Sequence, residues 1–168
     1  MAISIAKVKE LREKTGVGVM DAKNALEEAG GDIANAEKIL SEKGLASASK
    51  RSGRSTSEGS VVSYIHTGGR IGSMLEIKCE TDFVGKTKEF AELGKNISMQ
   101  IAAMNPIYID AENETNDKDI EPTSENSLLQ QVFIKDSEKT IKSLIEETSG
   151  KLGENIQIKR FQRFAISD

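Results

Sequence analysis

Two strand-like segments flank a pair of glycines near the middle of the chain, and this arrangement limits the fold more than any other feature. The segments read SVVSYIH, residues 60–66, and RIGSMLEIKC, residues 70–79, and both are rich in residue types typical of strands. Gly68 and Gly69 between them suit a primed turn, in which both central residues need positive φ angles. Apolar residues alternate along the second segment, so one face of the predicted hairpin is buried. That face is formed by Ile71, Leu75, Ile77 and Cys79.

Two helical patterns and a further strand follow the hairpin. A helix is predicted over residues 87–104 and another over residues 137–152, the latter starting at Asp136-Ser137 and ending at Gly153. The final segment, NIQIKRFQRFAI, alternates as a strand does, but its phase shifts near Arg160-Phe161, which suggests a bulge or an edge strand. The predicted class over residues 59–168 is therefore α+β, a small antiparallel sheet with helices packed on one face. The apolar stripe of the first helix contains Phe90, Leu93, Ile97, Ile101 and Met104.

Three short helices are predicted in the first part of the chain, residues 1–44. Glycines end each apolar pattern, at Gly16, at Gly30-Gly31 and at Gly44. A bundle of this size has too little core for a buried active site, so it is predicted to be a docking domain. Residues 45–58 are rich in Ser and Gly, which predicts a flexible linker. The linker also contains the basic residues Lys50, Arg51 and Arg54.

The negative charge of the chain is concentrated in one segment. The formal net charge is −4, and residues 110–126 alone carry seven acidic groups against one lysine. The rest of the chain is nearly balanced, which argues against a general nucleic-acid-binding surface. The acidic segment itself is predicted to be a solvated, mobile loop.

The reactive side chains argue against an enzyme. With one cysteine, Cys79, and one histidine, His66, the chain has neither an intrachain disulfide nor a structural zinc site. If Gly68 and Gly69 form the turn, His66 lies opposite Ile71, and Cys79 is about 26 Å further along the strand, too far for a catalytic dyad. No phosphate-binding glycine loop is present, so neither direct nucleotide binding nor a cofactor is predicted. The sequence has neither a membrane-spanning segment nor a signal peptide, which predicts a cytoplasmic protein.

An aromatic residue stands in a segment where a surface connection is predicted. The stretch KCETDFVGK, Lys78–Lys86, joins the second strand to the following helix and contains Phe83. Spacing alone leaves two interpretations open. Phe83 could fold back into the core, with Asp82 capping the next turn, or it could be an exposed contact for a partner protein.

Longer motifs resemble one known family. The stretch LREKTGVGVMDAKNALEEAGGDIANAEKILSEKG resembles the N-terminal, UBA-like domain of the bacterial elongation factor Ts family, and YIHTGGRIGSMLEIKCETDFVGK is similar to the core signature of that family. The final segment also resembles the family. The chain departs from the pattern in having one core unit, an acidic loop in place of a longer helical insertion, and Val132 where a proline is usual.

The resemblance implies a function and a set of contact residues. It implies a guanine nucleotide exchange factor that binds the translation GTPase elongation factor Tu and promotes GDP release without covalent chemistry. The implied wedge, which enters the partner near its Mg²⁺ and phosphate site, is centred on Asp82 and Phe83 and flanked by Thr81 and Val84. The implied docking contacts are Arg12, Val19, Met20, Lys23, His66, Gly68 and Arg70.

The distance between two of these elements further predicts a homodimer. His66 and Phe83 lie beyond opposite ends of one predicted strand, so a single core unit does not readily present both to one face of a GTPase. Long members of the family have two core subdomains, and a short form can recover the same arrangement as a symmetric dimer. A different function also stays open at this point: an RNA-binding or nascent-chain adaptor that uses the helical bundle and the basic linker.

Overall fold

The computed structural model describes residues 4–111 and 120–166. Six helices and five strands follow one another in this part of the chain, with a single 3₁₀ turn at Leu128–Gln130. No helix within these residues combines the length and the apolar character needed to cross a membrane. In chain order the elements are α1 (Ile5–Thr15), α2 (Val19–Glu28), α3 (Ile33–Arg51), β1 (Glu58–Ile65), β2 (Ile71–Cys79), α4 (Asp82–Gly85), α5 (Lys88–Met104), β3 (Val132–Phe133), β4 (Asp136–Thr140), α6 (Ile141–Leu152) and β5 (Gln157–Ala165).

The first three helices form a small bundle, as predicted. Gly16 adopts a left-handed conformation with φ of 72°, which glycine tolerates because it has no side chain. It therefore ends α1 where the apolar pattern stops. Asp32 caps α3 by accepting a hydrogen bond from the backbone N–H of Asn35 at 2.7 Å. Small side chains let the helices approach closely. The buried core of the bundle consists of Leu11, Ala22, Ala25, Leu26 and Ala36.

The third helix is longer than predicted. Its predicted end at Gly44 is wrong, because α3 continues to Arg51 through the first half of the predicted linker, residues 45–58. The C-terminal half of α3 packs against α6, where Gly44 lies next to Gly150 and a Cβ atom on Gly150 would be 3.1 Å from the Gly44 Cα. Glycine destabilises a helix by about 1 kcal/mol relative to alanine, and the contact with α6 outweighs this cost. A helix therefore joins the bundle to the core.

Substitutions at the two glycines are expected to have opposite effects on stability. A methyl group at Gly44 meets no atom within 4 Å, so Gly44→Ala should raise the free energy of unfolding by about 0.5–1 kcal/mol through helix propensity. Gly150→Val should lower it by about 1–3 kcal/mol, because the added atoms press on the backbone of α3. Urea denaturation of both variants measures the difference. A stabilising Gly150→Val would contradict the close helix crossing.

The core domain has the predicted α+β class. Three antiparallel strands lie in the order β1-β2-β5, and the hairpin register places Ile65 opposite Gly72. Glu76 pairs with Arg160 and Ile77 with Ile158, so one residue of β5 bulges between them, as the phase shift predicted, and β5 is an edge strand. One face of the sheet packs against α5, and α6 packs against α5 in turn. The buried residues of this core include Leu75, Ile77, Cys79, Phe90, Leu93, Ile97, Ile101, Ile141 and Ile145.

Two predicted features of the core domain need correction, and a third is not tested. The last helix starts at Ile141, because Asp136–Thr140 is a strand that pairs with Val132–Phe133, and Thr140 caps the helix by accepting from the Ser143 N–H at 3.1 Å. Met104, predicted to face inward, is exposed. Most of the acidic loop, residues 112–119, lies outside the described residues.

No helix among the described residues covers the opposite face of the three-stranded sheet, and four large apolar side chains are exposed on it. Alternation along the strands places large apolar side chains of all three strands on this face, and they are 48–67% exposed. We call this surface the open sheet face. It comprises Val61, Ile65, Met74 and Phe164.

Candidate functional site

A single helical turn follows the central strand and presents Phe83 to solvent. Thr81 is the N-cap of α4, and its hydroxyl accepts from the Val84 N–H at 3.5 Å. Phe83 is 81% exposed, whereas Val84 is 8% exposed and packs in the core. The interpretation of Phe83 as a core residue is therefore wrong for this structure. Val84, predicted to flank the wedge, has a buried side chain that anchors the turn from beneath.

Asp82 forms an ion pair within the same turn. The Lys86 Nζ lies 2.6 Å from the Asp82 Oδ2 on the exposed side of α4. This hydrogen bond, followed by the charge of Lys86, lowers the pKa of Asp82, and the same pair raises the pKa of Lys86. Both groups therefore stay charged around neutral pH, and a negative carboxylate stands next to the exposed aromatic ring.

A residue that sequence reasoning missed holds the start of this turn. The Glu154 Oε2 accepts from the backbone N–H groups of Glu80 and Thr81, both at 3.0 Å. Its other oxygen, Oε1, accepts from the Thr81 hydroxyl at 2.5 Å. Glu154 lies 73 residues from Thr81, beyond the end of α6. No local pattern connects the two, so only the folded chain brings them together.

The predicted docking residues of the bundle lie around the connection between α1 and α2. Val19 and Met20 begin α2 and are both exposed. The Arg12 Nε donates to the Val17 carbonyl at 3.4 Å, and the Lys23 ammonium lies 3.7 Å from the Glu27 carboxylate. Two adjacent exposed apolar side chains, Val19 and Met20, therefore stand at the start of α2.

The hairpin loop lies at the other end of β2. His66 donates its backbone N–H to the Ile71 carbonyl at 2.8 Å, which confirms the predicted pairing, and Gly68 and Gly69 have φ angles of 89° and 69°. Arg70 is held to the end of β5, where its Nη2 donates to the Ile166 carbonyl at 3.3 Å. The His66 Nδ1 lies 3.0 Å from the Tyr64 hydroxyl. Because β2 spans about 26 Å, this loop and Phe83 are at opposite ends of the sheet.

Cys79 is a buried structural residue. Its Sγ donates to the Thr81 carbonyl at 3.2 Å, and its side chain is fully buried. Burial raises the pKa of the Cys79 thiol, with further contributions from the carboxylates of Glu154 and Glu58. The protonated thiol is a poor nucleophile.

A thiol reagent is therefore expected to react slowly with the native protein. At pH 8 the rate should be at least about 100-fold lower than in urea, because reaction requires opening of the core. The raised pKa favours the native state below the pKa of the unfolded thiol, near 9.0, and this contribution is lost as the pH rises through the folded pKa. Absorbance of the released chromophore measures the rate. Equal rates in buffer and in urea would show that Cys79 is accessible.

Comparison with known proteins identifies the family. The family model described as elongation factor TS matches residues 19–121. Among curated proteins named elongation factor Ts, that of Caldanaerobacter subterraneus subsp. tengcongensis is 50% identical, covering 96% of both chains. The protein of Thermotoga petrophila is 43% identical, covering 100% of this chain and 98% of its own. That of Fervidobacterium nodosum is 45% identical over 197 aligned positions, covering both chains completely.

The last alignment is longer than the 168 residues of this chain. The relative therefore contains residues that this chain lacks, in agreement with a short form. Within the described residues, no cluster of His, Cys, Asp or Glu is suited to hold a metal ion. The residues matched by the family model run from the start of α2 past the turn that carries Phe83, and the chain belongs to the elongation factor Ts family.

Proposed function

We propose that this chain is a guanine nucleotide exchange factor that binds elongation factor Tu and promotes release of GDP without covalent chemistry. Membership of the elongation factor Ts family supports the proposal. The observation that carries it is Phe83, an 81% exposed aromatic residue on a turn whose N-cap, Thr81, is held by hydrogen bonds to Glu154 and Val84. A large rigid side chain held in solvent is costly unless a partner covers it, and aromatic residues dominate interface energetics.

In the proposed mechanism, Asp82 and Phe83 act as a wedge. The ring inserts into the GTPase domain and displaces elements that hold Mg²⁺ and the phosphates of GDP, which weakens nucleotide binding. Exchange is then differential binding, because the factor stabilises the nucleotide-free partner more than the GDP-bound form. The coupling is reciprocal, so GDP weakens binding of the factor by the same amount. The factor itself binds no nucleotide.

The bundle provides the first contact in this mechanism. Val19 and Met20, flanked by Arg12 and Lys23, form the proposed docking surface for the GTPase. Methionine adapts to irregular surfaces, and the two basic groups favour an acidic partner surface. A second contact is assigned to the hairpin loop, through His66, Gly68 and Arg70.

The decisive experiment measures release of a fluorescent GDP analogue from elongation factor Tu. Substoichiometric amounts of the full chain should accelerate release many times over, since each molecule acts repeatedly. No acceleration at an equimolar ratio would contradict the proposed function. An RNA-binding adaptor would instead bind RNA with a steep salt dependence. No observation favours this alternative, because Arg51 donates to the Ser149 carbonyl and Arg54 pairs with Glu80.

We also propose that the chain acts as a homodimer. The hairpin loop and Phe83 lie at opposite ends of β2, so a two-fold pair can offer Phe83 of one protomer and His66 of the other to one GTPase. The open sheet face, with Phe164 and Met74, supports such pairing because exposed apolar patches often mark interfaces. The proposed dimer contact is this face and not the free edge of β5.

Light scattering should therefore give twice the chain mass for the free protein and a two-plus-two complex with nucleotide-free elongation factor Tu. Phe164→Glu should shift the protein to the monomer, because a buried pair of like charges on the dimer axis is unfavourable. Val132→Glu, an exposed position on β3, is the matched control. A monomeric protein that exchanges at full rate in a one-to-one complex would contradict the dimer.

A further inference from the structure

Glu154 stands at a junction between distant parts of the core. It follows Gly153, whose left-handed conformation, with φ of 76°, ends α6 and turns the chain toward β5. Both oxygens of its carboxylate point at the segment that enters α4. Three donors converge on them, two backbone N–H groups and one hydroxyl. A carboxylate suits this position because it only accepts hydrogen bonds and has two oxygens.

Every polar group of Thr81 is engaged as a result. Its N–H and hydroxyl donate to Glu154, and the same hydroxyl accepts from the Val84 N–H. Its carbonyl accepts from the Cys79 thiol at 3.2 Å and from the Gly85 N–H at 3.2 Å. Phe83 is two residues away and makes no such contacts with its side chain. The backbone at the start of the turn is therefore fixed through Thr81, and the Phe83 side chain projects from that backbone.

The turn has little stability of its own. A helix of four residues does not form in isolation, because nucleation fixes several dihedral angles for one hydrogen bond. Val84 supplies the apolar anchor below the turn, but one buried side chain leaves rotation about it open. Glu154 removes that freedom from the opposite side. At the other end of the turn, the Val84 carbonyl accepts from the Thr87 N–H at 3.0 Å and from the Thr87 hydroxyl at 2.8 Å. Glu154 is thus the polar contact that holds the start of the turn.

The next residue extends this arrangement to the connection between α3 and β1. The Asn155 N–H donates to the Glu80 Oε1 at 2.6 Å, and its side-chain amide donates to the carbonyls of Ser52 at 3.1 Å and Arg54 at 2.7 Å. Arg54 in turn lies 3.5 Å from the same Glu80 oxygen. The end of the bundle helix and the start of the turn are therefore joined to one short segment.

We propose that Glu154 is a positioning residue for nucleotide exchange, which fixes the direction in which Phe83 leaves the core. The proposal rests on the proposed wedge function of Phe83. Preorganisation of this kind favours binding, because the ordering cost is met before the partner arrives. Docking through the bundle does not require it. Loss of Glu154 should therefore affect the maximal exchange rate more than the concentration of factor that gives half of that rate.

The test compares Glu154→Ala and Glu154→Gln in the full chain, each with Phe83 and with Phe83→Ala. Glu154→Ala should lower the rate of GDP release at saturating factor about tenfold and leave the half-saturating concentration within about twofold. Glutamine keeps one acceptor oxygen for the two N–H groups and can donate to the Thr81 hydroxyl. Glu154→Gln should therefore stay within about threefold of the wild-type rate. Glu92→Ala is the matched control, since the Glu92 side chain on α5 makes no hydrogen bond or ion pair with the described residues.

The double variant separates positioning from general stability. If Glu154 acts through Phe83, Glu154→Ala should add less than about twofold in the Phe83→Ala background. Equal losses in both backgrounds would overturn the positioning role and leave the wedge intact. An unchanged maximal rate for Glu154→Ala would also overturn it. If Phe83→Ala itself has no effect on release, the proposed function fails first.

Thermal denaturation shows whether each variant is folded at the assay temperature. Should Glu154→Ala not fold, Thr81→Val provides the same test, because it removes the hydroxyl that Glu154 holds and keeps the shape of the side chain. It should lower the maximal rate only when Phe83 is present. A loss that is equal with and without Phe83 would overturn the proposal.

Discussion

Replacing Phe83 with alanine is expected to lower GDP release from elongation factor Tu about 30-fold at subsaturating factor. An aromatic anchor at an interface contributes at least about 2 kcal/mol, and each 1.4 kcal/mol corresponds to about tenfold. The fold should be unaffected. With 81% of the residue exposed, the free energy of unfolding should change by less than about 0.5 kcal/mol. Stopped-flow fluorescence and urea denaturation measure the two quantities on the same preparation.

A matched control distinguishes the wedge from a general loss of apolar surface. Val132 on β3 is 53% exposed, and Val132→Ala should leave both release and stability unchanged. If Phe83→Ala lowers the melting temperature by many degrees and leaves exchange unchanged per folded molecule, the ring belongs to the core and the wedge is wrong.

Gly59→Ala is expected to be the most destabilising of the single substitutions considered. Gly59 is the second residue of β1 and has a φ of 150°, and a Cβ atom there would lie 2.2 Å from the Ile77 carbonyl oxygen and 2.7 Å from the Lys78 Cα. Both are backbone atoms of β2, so neither can rotate away. The strands would have to separate, which should cost at least about 3 kcal/mol. For a chain of this size, the melting temperature should fall by roughly 6–12 °C.

Gly53→Ala is the control for this substitution. Gly53 precedes the same strand, has no positive φ, and a methyl group there meets no atom within 4 Å. Its melting temperature should stay within about 2 °C of the wild type. If Gly59→Ala melted at the same temperature as Gly53→Ala, the close approach of β1 to β2 at this point would be wrong.

The parts of the fold that were predictable from the sequence are those with a strong local signal. The hairpin has alternation on both strands and two glycines at the turn, so its register and its buried face were both predicted. The bulge in β5 was predicted because one extra residue reverses the alternation. Each of these patterns lies within about ten consecutive residues, and the structure confirms the predictions made from them.

The errors arose where distant contacts decide the local structure. Gly44 is a typical helix stop, but packing against Gly150 keeps it helical. The strand Asp136–Thr140 is polar throughout, so its sequence resembles the start of a helix. Pairing with Val132–Phe133 makes it a strand instead.

The candidate site was predictable only in part, for the same reason. Phe83 was found by its position in a connection, and spacing could not decide between core and surface. Family resemblance favoured the surface, which the structure confirms. The partner of Thr81, Glu154, is 73 residues away, and carboxylates are too common in this sequence for one to stand out.

Because α3 is one continuous helix, inserting residues into it would change the direction in which the bundle faces. In an α-helix each added residue rotates everything beyond it by about 100° and advances it by about 1.5 Å. One residue inserted between positions 44 and 51 would therefore turn Met20 and Val19 away from their present direction relative to Phe83. Seven inserted residues would nearly restore the direction, at a displacement of about 10 Å. The number of residues in α3 therefore sets the angle between the proposed docking surface of the bundle and the turn that carries Phe83.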